Sequence, residues 1–579
     1  MKRFAHLVSC GLASSVFFAG VLAQLFYMLN PSTEWSPTRL AGLVCSLYWP
    51  YGVAPFSLTI IGFYLAQFLV GRRLETWWLS VPILAWSFAV NAVIAILLFV
   101  RNAMLYQAFV STKGLDAIVA GIMSWTAFMI AMVLIGSYHH FFPKMRWRKA
   151  GLTLLVLAVL ALAVPGLLPP PQNRGSSYAQ PSKERGPLPP TRGRLVFIGL
   201  EGASLNYILP LVSQGRLPNF EELMRRGAGG RLQTITPAQS RPLWASVLTG
   251  RSPASAGVPG EHEYLLNLCN AKLRMLPRGI FFQSVLERAG SLRVQTADVL
   301  QRNTICYWDF FRAEGGLSAS IIDLWAPIRS VHGSLIETPA LAERRRVYPP
   351  AIVPAVEEAV TEARAEAATH LAGMFGESVV PSGAEWQRQT LGQALENDEI
   401  VRHLAGRFDA DVLAFRLRGL DAVAHFFPAS FAGESYRSFE ETDGVFERAV
   451  ERYYRYYDEI LGEYLDALPK DTMLCVVSIH GMEPLPVWRR MLEVLRGGRS
   501  PVGGHESGPD GFVYFYGADV ARGIVLRPTT LYSILPTLLY YQGIAIGLDM
   551  RGKILLDVFT RSFRETHPAS YIPSHQSGQ

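Results

Sequence analysis

The stretch that decides the fold is Phe415-Arg-Leu-Arg-Gly-Leu-Asp-Ala-Val-Ala-His-Phe-Phe427. The apolar residues 412–415 lead into it and predict a buried strand, and the residues after the strand can form a helix. Asp421 and His425 lie four residues apart, so a helix places the carboxylate and the imidazole on one face, close enough to hold one cation. The spacing alone also fits an ordinary helix start with a hydrogen-bonded histidine, so the surrounding sequence has to decide.

Short apolar runs alternate with helical patterns over the second two thirds of the chain. The runs are 195–200, 319–324, 412–415, 473–477 and 512–516. Helical patterns between them include 204–226 and 446–468. Strands that are buried on both faces and separated by helices predict an α/β domain with a mostly parallel sheet.

Polar residues occur where the predicted strands end. Glu201 follows the first strand, His480 follows the strand 473–477, and His505 precedes the last strand. In such sheets the chemistry collects at the carboxyl ends of the strands, so we expect these residues to meet Asp421 and His425 there. Several carboxylates and imidazoles at one sheet edge indicate a metal.

Further motifs occur along residues 199–552. They are Gly199-Leu-Glu-Gly-Ala203, Ser240-Arg-Pro-Leu-Trp244, Leu248-Thr-Gly250, Arg418 to His425, Tyr454 to Leu465, Ser478-Ile-His-Gly481, His505 to Gly511, Leu535-Pro-Thr-Leu-Leu539 and Asp549-Met-Arg-Gly552. With these motifs, residues 194–560 resemble the alkaline phosphatase superfamily, most closely its type I phosphodiesterase/nucleotide pyrophosphatase branch. The resemblance implies an alkaline-phosphatase-like α/β fold whose mostly parallel sheet is flanked by helices.

The resemblance also implies a chemistry. Two zinc ions would clamp the attacking and leaving oxygens at phosphorus, and a serine hydroxyl would be transiently phosphorylated. The implied roles are Ser240 as nucleophile, Asp421, His425 and His505 as ligands of one metal, and Glu201 and His480 with Ser240 at the second. Arg241 could hold a phosphate oxygen, and its alternative is an ordinary surface residue.

The second metal site departs from the family pattern at two positions. Glu201 stands where the family has aspartate, which moves the carboxylate out by one methylene. Ile479 stands where the family has another aspartate, and isoleucine cannot ligate a cation. Glu483 or Glu506 could substitute for the lost carboxylate. We therefore expect one or two zinc ions, with manganese as the alternative metal.

Residues 1–168 predict a transmembrane domain of about five helices, because long apolar runs there approach or exceed the roughly 20 residues that span a bilayer. The predicted spans are 5–28, 42–70, 79–100, 116–141 and 150–168, the second interrupted by Pro50 and Pro55. Basic residues mark every second boundary, at 2–3, 72–73 and 144–149. The positive-inside rule places these groups in the cytoplasm, so the soluble domain is expected to be periplasmic or extracellular, anchored in the cytoplasmic (inner) membrane.

The remaining boundaries follow from composition. Residues 169–193 are rich in Pro, Gly and Ser and predict an extended linker. The catalytic domain is predicted over 194–565, with a helical cap insertion at 339–403 that begins with Arg344-Arg-Arg346, and 566–579 form a tail. The arginine triplet is expected to be solvated, with anionic head groups as its alternative partner.

Cysteine usage and charge add little. Cys269 and Cys306 could pair in an oxidising compartment, while Cys475 is expected to be a buried thiol in its strand. The net charge of +7 is partly explained by the cytoplasmic loops. No basic, aromatic-interleaved run predicts a nucleic-acid surface, and no protein partner can be inferred.

Two functional hypotheses follow. The first is a membrane-anchored, metal-dependent phosphodiesterase, phosphohydrolase or phosphotransferase that acts outside the cytoplasmic membrane through a phosphorylated serine. Its substrate would be a phosphoester, with a lipid-linked one suggested because five spans exceed what tethering needs. The alternative, favoured by Glu201 and Ile479, is a catalytically degenerate homologue with one metal that acts as a binding or scaffold component of the cell envelope.

Overall fold

The structure is a computed structural model that describes residues 2–31, 33–70, 81–141, 193–296, 305–311, 317–324, 332–337, 346–375, 385–427, 430–431, 434–435, 448–495 and 501–575. The chain divides into two units. The first, the helical unit, comprises Met1–Ser176 and Pro259–Asp298. The second, the sheet unit, comprises Ser177–Val258 and Val299–Gln579. Residues 259–298 lie inside the range predicted for the catalytic domain but cluster with the helices.

The α-helices are α1 Lys2–Leu29, α2 Pro37–Tyr51, α3 Val53–Val70, α4 Val81–Leu105, α5 Thr112–Phe141, α6 Leu205–Ser213, α7 Pro218–Arg226, α8 Ser240–Thr249, α9 Pro253–Ala256, α10 Phe282–Arg288, α11 Val353–Phe375, α12 Glu385–Arg407, α13 Gly419–Phe426, α14 Ala449–Ala467, α15 Val487–Leu495, α16 Ile534–Tyr541 and α17 Arg561–Thr566. Short 3₁₀ helices cover Tyr307–Phe311, Pro350–Ile352, Leu531–Ser533 and Leu556–Val558.

The strands are β1 Arg194–Leu200, β2 Ala228–Gln233, β3 His262–Leu266, β4 Ala271–Leu273, β5 Leu292–Thr296, β6 Ala319–Ile322, β7 Gly333–Glu337, β8 Arg346–Tyr348, β9 Val412–Leu417, β10 Ser430–Phe431, β11 Glu434–Ser435, β12 Thr472–Ser478, β13 Glu483–Pro484, β14 Gly503–Gly504, β15 Gly511–Tyr516, β16 Ile524–Val525, β17 Thr529–Thr530, β18 Ile546–Gly547 and β19 Tyr571–Ile572. Each of the five predicted runs forms a strand.

Within the described residues of the helical unit, three segments are long and apolar enough to cross a membrane: Leu7–Leu29, Val81–Leu105 and Thr112–Tyr138. The pair Pro37–Tyr51 and Val53–Leu65 is bent by 53° and raises the count to four if it is one broken span. The bend falls where the prolines interrupt the second predicted span. The fifth predicted span, 150–168, and the basic groups at 72–73 and 144–149 lie outside the described residues.

One end of the helix bundle is closed by the segment 259–298, which contains the antiparallel sheet β4-β3-β5. Asn30, directly after α1, accepts from the Met275 backbone N–H at 2.9 Å and donates to the Met275 carbonyl at 2.8 Å. Asn102, near the end of α4, makes the same pair of bonds to Arg278 at 2.8 and 2.9 Å. Both asparagine side chains are buried. They replace the water that these backbone groups would otherwise bind.

The sheet unit is built on a ten-stranded sheet with the order β16-β2-β15-β12-β1-β9-β6-β7-β8, in which β17 also pairs with β2. The five central strands, from β12 to β7, are parallel to one another. The edge pairs β12–β15, β15–β2 and β7–β8 are antiparallel. This is the predicted mostly parallel α/β sheet.

Apolar side chains cover both faces of this sheet. One cluster packs α8 and α16 on it through residues such as Trp244 and Leu538. The other packs α6, α7 and α11 to α14 through residues such as Phe220, Leu404 and Tyr457. Burial on both faces explains why the central strands carry continuous apolar runs.

The helices in the range predicted as a cap, 339–403, pack on the sheet. Val356, Val360 and Leu395 lie in the same apolar cluster as Phe415 of β9, so α11 and α12 form part of the layer that flanks the sheet. Charge on their exposed faces gave them the appearance of a separate insertion. Arg344 lies outside the described residues.

Candidate active site

The candidate site lies at the edge of the sheet where parallel strands end. Gly199 of β1 pairs with Val477 of β12, and Leu200 pairs with Leu417 of β9, so these three strands end side by side. The next residues along each strand are Glu201, Arg418 and Ile479. Because β2 runs parallel to β12 through the intervening antiparallel β15, the loop from β2 to α8 also opens at this edge.

Three ligand atoms converge at this edge. One side-chain atom each from Asp421, His480 and His505 lies within 4.8 Å of the other two. His425, one turn after Asp421 on α13, lies beside them, with its Nε2 3.6 Å from Asp421 Oδ2. His505 Nε2 is 3.7 Å from Asp421 Oδ1. The structure thus brings together four of the predicted ligands, and His480, predicted for the second metal, lies with the first set.

Each of the three histidines is held in one tautomer by a backbone carbonyl of another residue. Each Nδ1 lies at hydrogen-bond distance from a carbonyl oxygen, which can only accept, so each Nδ1 carries the proton. The carbonyls belong to Gly503 for His425 at 3.0 Å, Ala238 for His505 at 2.9 Å and Gly481 for His480 at 3.1 Å. Each Nε2 therefore keeps a lone pair, as a metal-binding imidazole requires.

Two buried atoms in this group fit a metal. Among the residues that the structure describes, neither Asp421 Oδ1 nor His480 Nε2 has a hydrogen-bond partner. Burial, with a smaller contribution from His505, lowers the pKa of His480 to about 3, so its imidazole is neutral. Burial alone would raise the pKa of Asp421, but the neighbouring imidazoles and a nearby guanidinium lower it below its usual value. A carboxylate and neutral imidazoles form a donor set suited to zinc or manganese.

The second predicted metal position is different, because an arginine reaches it. Arg416, the fifth residue of β9, lies with Nη1 3.1 Å from Glu201 Oε2 and donates to Ser240 Oγ at 3.4 Å. Its Nη2 lies 3.2 Å from Asp323 Oδ2. The Arg416 side chain is 3% exposed. Ile479 is fully buried in the apolar cluster that contains Trp244, where it is a core residue.

Sequence reasoning missed Arg416 and Asp323. The predicted strand ends at Phe415. In the structure β9 continues to Leu417, and all six of its residues are buried. An arginine inside a fully buried strand is a signal in itself, because a buried charge needs a partner. Asp323, directly after β6, is one of its two carboxylate partners.

A family model, type I phosphodiesterase / nucleotide pyrophosphatase, matches residues 195–496, just over half of the chain. The chain belongs to this family. The match confirms the resemblance and the fold, and it supports phosphoester hydrolase activity, for which the family is typically metal-dependent. No curated protein matches the chain.

In this phosphodiesterase-family chain, the helix that carries the candidate ligands Asp421 and His425 is positioned by a buried carboxylate. Asp398 of α12 accepts hydrogen bonds from the backbone N–H groups of Arg418 and Gly419 at 2.9 and 3.0 Å. It also accepts from the hydroxyls of Tyr453 and Tyr457 at 2.8 and 2.9 Å. Burial raises the pKa of Asp398 to about 6 against the effect of these bonds. Asp398 thus fixes the start of α13, two residues before Asp421.

A glycine brings the loop after β1 against the same helix. Gly202 has φ +77°, a conformation that favours glycine, and a Cβ there would lie 2.7 Å from the Cα of Asp421. Any larger residue would push Asp421 away from the histidines.

Three other predicted residues have different surroundings. Arg241 is buried, 6% exposed, so the surface alternative is wrong. Glu506 faces Arg489 at 3.8 Å, and Glu483 pairs with Gly504 in the β13–β14 ladder. The ligand group that includes Asp421 contains neither glutamate.

The cysteines are free thiols. Cys269 belongs to the helical unit and Cys306 to the sheet unit, and both are unbridged. Cys475 is buried in β12, as predicted.

A second group of metal-ligating side chains lies between α11 and α12. Glu366, His370 and Glu399 each offer one atom within 4.8 Å of the others. Both carboxylate oxygens of Glu399 lie 3.3 Å from Arg402, and His370 lies 2.5 Å from the same carboxylate. Because Glu399 is already paired with a guanidinium, we interpret this group as an ion-pair network between the helices.

Proposed function

We propose that this protein is a membrane-anchored, metal-dependent phosphoesterase that transfers a phosphoryl group to Ser240 and then to water or an alcohol. The observation that carries the proposal is the position of the Ser240 hydroxyl. It lies at the first residue of α8, within hydrogen-bond distance of Arg416, and His505 is bonded to Ala238 only two residues earlier. The loop that leads into Ser240 is thus hydrogen-bonded to one member of the ligand group, His505.

Asp421, His480 and His505, with His425 beside them, would hold one divalent cation, zinc or manganese. A cation there would polarise a phosphoryl oxygen and favour the ionised form of a neighbouring hydroxyl.

The chain's own residues then support the displacement. The positive end of α8 and its first backbone N–H groups favour negative charge on Ser240 and on a bound phosphoryl group. The Ser240 oxygen loses its proton and bonds to phosphorus, while the bond from phosphorus to the ester oxygen breaks and that oxygen leaves with the electron pair and takes up a proton. In the second step the oxygen of water or an alcohol loses its proton and bonds to phosphorus, and the Ser240 oxygen leaves with the electron pair and is reprotonated.

We infer that Arg416 supplies the positive charge for which a second metal was predicted. Its guanidinium lies between Glu201 and the Ser240 hydroxyl, two of the three groups predicted to bind that metal. A fixed guanidinium stabilises an oxyanion through charge-assisted hydrogen bonds and needs no reorganisation during the reaction. This model predicts one divalent cation per chain.

We also propose that the catalytic unit acts outside the cytoplasmic membrane. The helices α1 and α4 both end beside the segment 259–298, so the start of α1, at Lys2, belongs to the opposite end of the bundle. The flanking residues 258 and 299 belong to the sheet unit. With Lys2 and Arg3 in the cytoplasm, the positive-inside rule favours an outside location for this segment and for the domain whose chain enters and leaves it.

Hydrolysis of bis-p-nitrophenyl phosphate by the full-length protein with zinc or manganese tests the proposal. Ser240→Ala should reduce kcat by about a thousandfold or more, because the covalent route is lost. Ser246→Ala is the matched control. Ser246 is buried in the same helix, and its hydroxyl donates to the Pro242 carbonyl of that helix. Acid-quenched wild-type enzyme should carry a p-nitrophenyl phosphate group esterified to Ser240, with one p-nitrophenolate already released. Turnover that is indifferent to Ser240→Ala would refute the mechanism.

The degenerate scaffold is the second candidate, and buried Ile479 is the observation that favours it. It predicts one tightly held metal and no turnover on any phosphoester. Measured turnover that depends on Ser240 excludes it.

A further inference from the structure

The helix α15 presents an apolar face to solvent. Val487, Trp488, Met491 and Val494 are 58, 59, 53 and 49% exposed. Their spacing of one, four and seven residues places them on one side of a helix. Arg490, in contrast, is 8% exposed. Among the described side chains of α15, the apolar ones are thus exposed and an arginine is buried, whereas an ordinary surface helix buries its apolar side.

This helix belongs to the same loop as two candidate ligands. The chain leaves the site at His480, forms α15 and returns at His505. The loop is closed at its base, where β13 pairs with β14 and the Leu485 N–H donates to the Val502 carbonyl at 2.9 Å. Gly503 of β14 accepts the hydrogen bond from His425 at 3.0 Å. The base of the loop that carries α15 therefore contacts the ligand group through Gly503.

Charge and residue type point to a lipid surface. Within residues 486–500 the sequence has four arginines, at 489, 490, 496 and 499, and one acidic residue, Glu493. The guanidinium of Arg489 lies 5.5 Å from the ring centre of Trp488. An exposed apolar stripe with a tryptophan and an arginine beside it, in a basic segment, is typical of helices that lie in the interface of a bilayer containing anionic lipids.

The sequence also predicts a tether to a bilayer. Residues 169–193 are predicted to be a linker, and a flexible coil of that length would have an end-to-end distance of roughly 28 Å. Tethering at that length corresponds to effective concentrations of about millimolar. A weak interfacial affinity would therefore be enough for docking.

We propose that the apolar face of α15 inserts into the surface of the bilayer that anchors the chain, and that the substrate is a phosphoester borne by a lipid in that bilayer. The part about the substrate rests on the proposed phosphoesterase activity. The part about docking does not.

Photo-crosslinking tests docking independently of activity. The full-length protein, with a diazirine-bearing methionine analogue replacing Met491, is reconstituted in nanodiscs that contain phosphatidylglycerol. We expect crosslinks to lipid at this position and few from the same analogue replacing Leu548, which is 69% exposed elsewhere on the sheet unit. Crosslinks to a second copy of the chain, to another part of the same chain, or at the background of the Leu548 control would overturn docking.

Kinetics test the substrate class. The double variant Trp488→Ser with Met491→Ser should lower kcat/KM for a fluorescent phospholipid in the nanodisc at least about tenfold. A tenfold change corresponds to the loss of about 1.4 kcal/mol of apolar contact with the bilayer. Hydrolysis of bis-p-nitrophenyl phosphate should be unchanged. The control is Val525→Ser with Leu548→Ser, which replaces two other exposed apolar residues.

The outcomes separate the two proposals. An equal loss on both substrates, or no loss on the lipid, refutes the role of α15 in substrate choice. Absence of activity on both substrates in the wild type refutes the phosphoesterase activity, while the crosslinking result still decides docking.

Discussion

Replacement of Arg416 by methionine removes a cation from the centre of the site while nearly keeping its volume. The side chain is 3% exposed and pairs with two carboxylates, Glu201 at 3.1 Å and Asp323 at 3.2 Å. Breaking a buried ion pair by removing one partner costs about 3–5 kcal/mol, since the other charge is left uncompensated. Uptake of a proton or a cation by the carboxylates would reduce this cost.

The effect on catalysis comes from the lost donor to Ser240. Removing one preorganised donor to a developing oxyanion reduces kcat by about 10²–10³. Arg416→Lys keeps the positive charge, so we expect it to reduce kcat less than Arg416→Met does. It should still be slower than the wild type, because lysine has no planar fork to reach both carboxylates and the hydroxyl. The assay is kcat on bis-p-nitrophenyl phosphate, with the melting temperature of each variant measured alongside to detect unfolding.

Metal counting completes the test. Wild-type protein should hold one divalent cation per chain. Arg416→Met combined with Ile479→Asp restores an acidic, cation-free second position, so this double variant should hold a second ion and be more active than Arg416→Met alone. Two ions in the wild type, or wild-type kcat and stability in Arg416→Met, would refute the role assigned to this arginine.

Three further changes test the supports of the site and the bundle. Asp398 has a pKa of about 6 in the fold and 3.8 when unconstrained, so the folded state binds its proton more tightly and stability falls as pH rises from about 4 to 6. This group alone accounts for a fall of up to about 3 kcal/mol, and melting curves of Asp398→Asn should lack that component. Asn102→Ala should increase hydrogen exchange in residues 272–280 by about 10- to 100-fold, because backbone groups of Arg278 lose their partner. Asn91→Ala, a buried asparagine of α4 that bonds Ser14, should leave that exchange unchanged. Gly202→Ala should reduce the free energy of metal binding by more than it reduces the free energy of unfolding of the metal-free protein. The reason is that its Cβ meets the backbone of Asp421.

The local elements and the identity of several candidate ligands could be predicted from the sequence. Strands buried on both faces must be apolar along their whole length, and the five runs are all strands in the structure. Residues that follow parallel strands must meet at one edge, which brought Glu201, Asp421 and His480 into the prediction. Hydropathy alone likewise marked the three described helices that are long and apolar enough to cross a membrane.

Other features depend on contacts between residues far apart in sequence. Whether Arg416 is a solvated charge or the partner of Glu201 depends on the register of β9 with β1, which composition does not encode. The docking of residues 259–298 rests on two asparagines that bind backbone groups, and such bonds carry no pattern in the partner's sequence. The helices α11 and α12 resembled an insertion by charge, yet a single buried stripe packs them on the sheet. Side-chain chemistry and periodicity are local properties, whereas the pairing of a buried charge is decided only when the chain has folded around it.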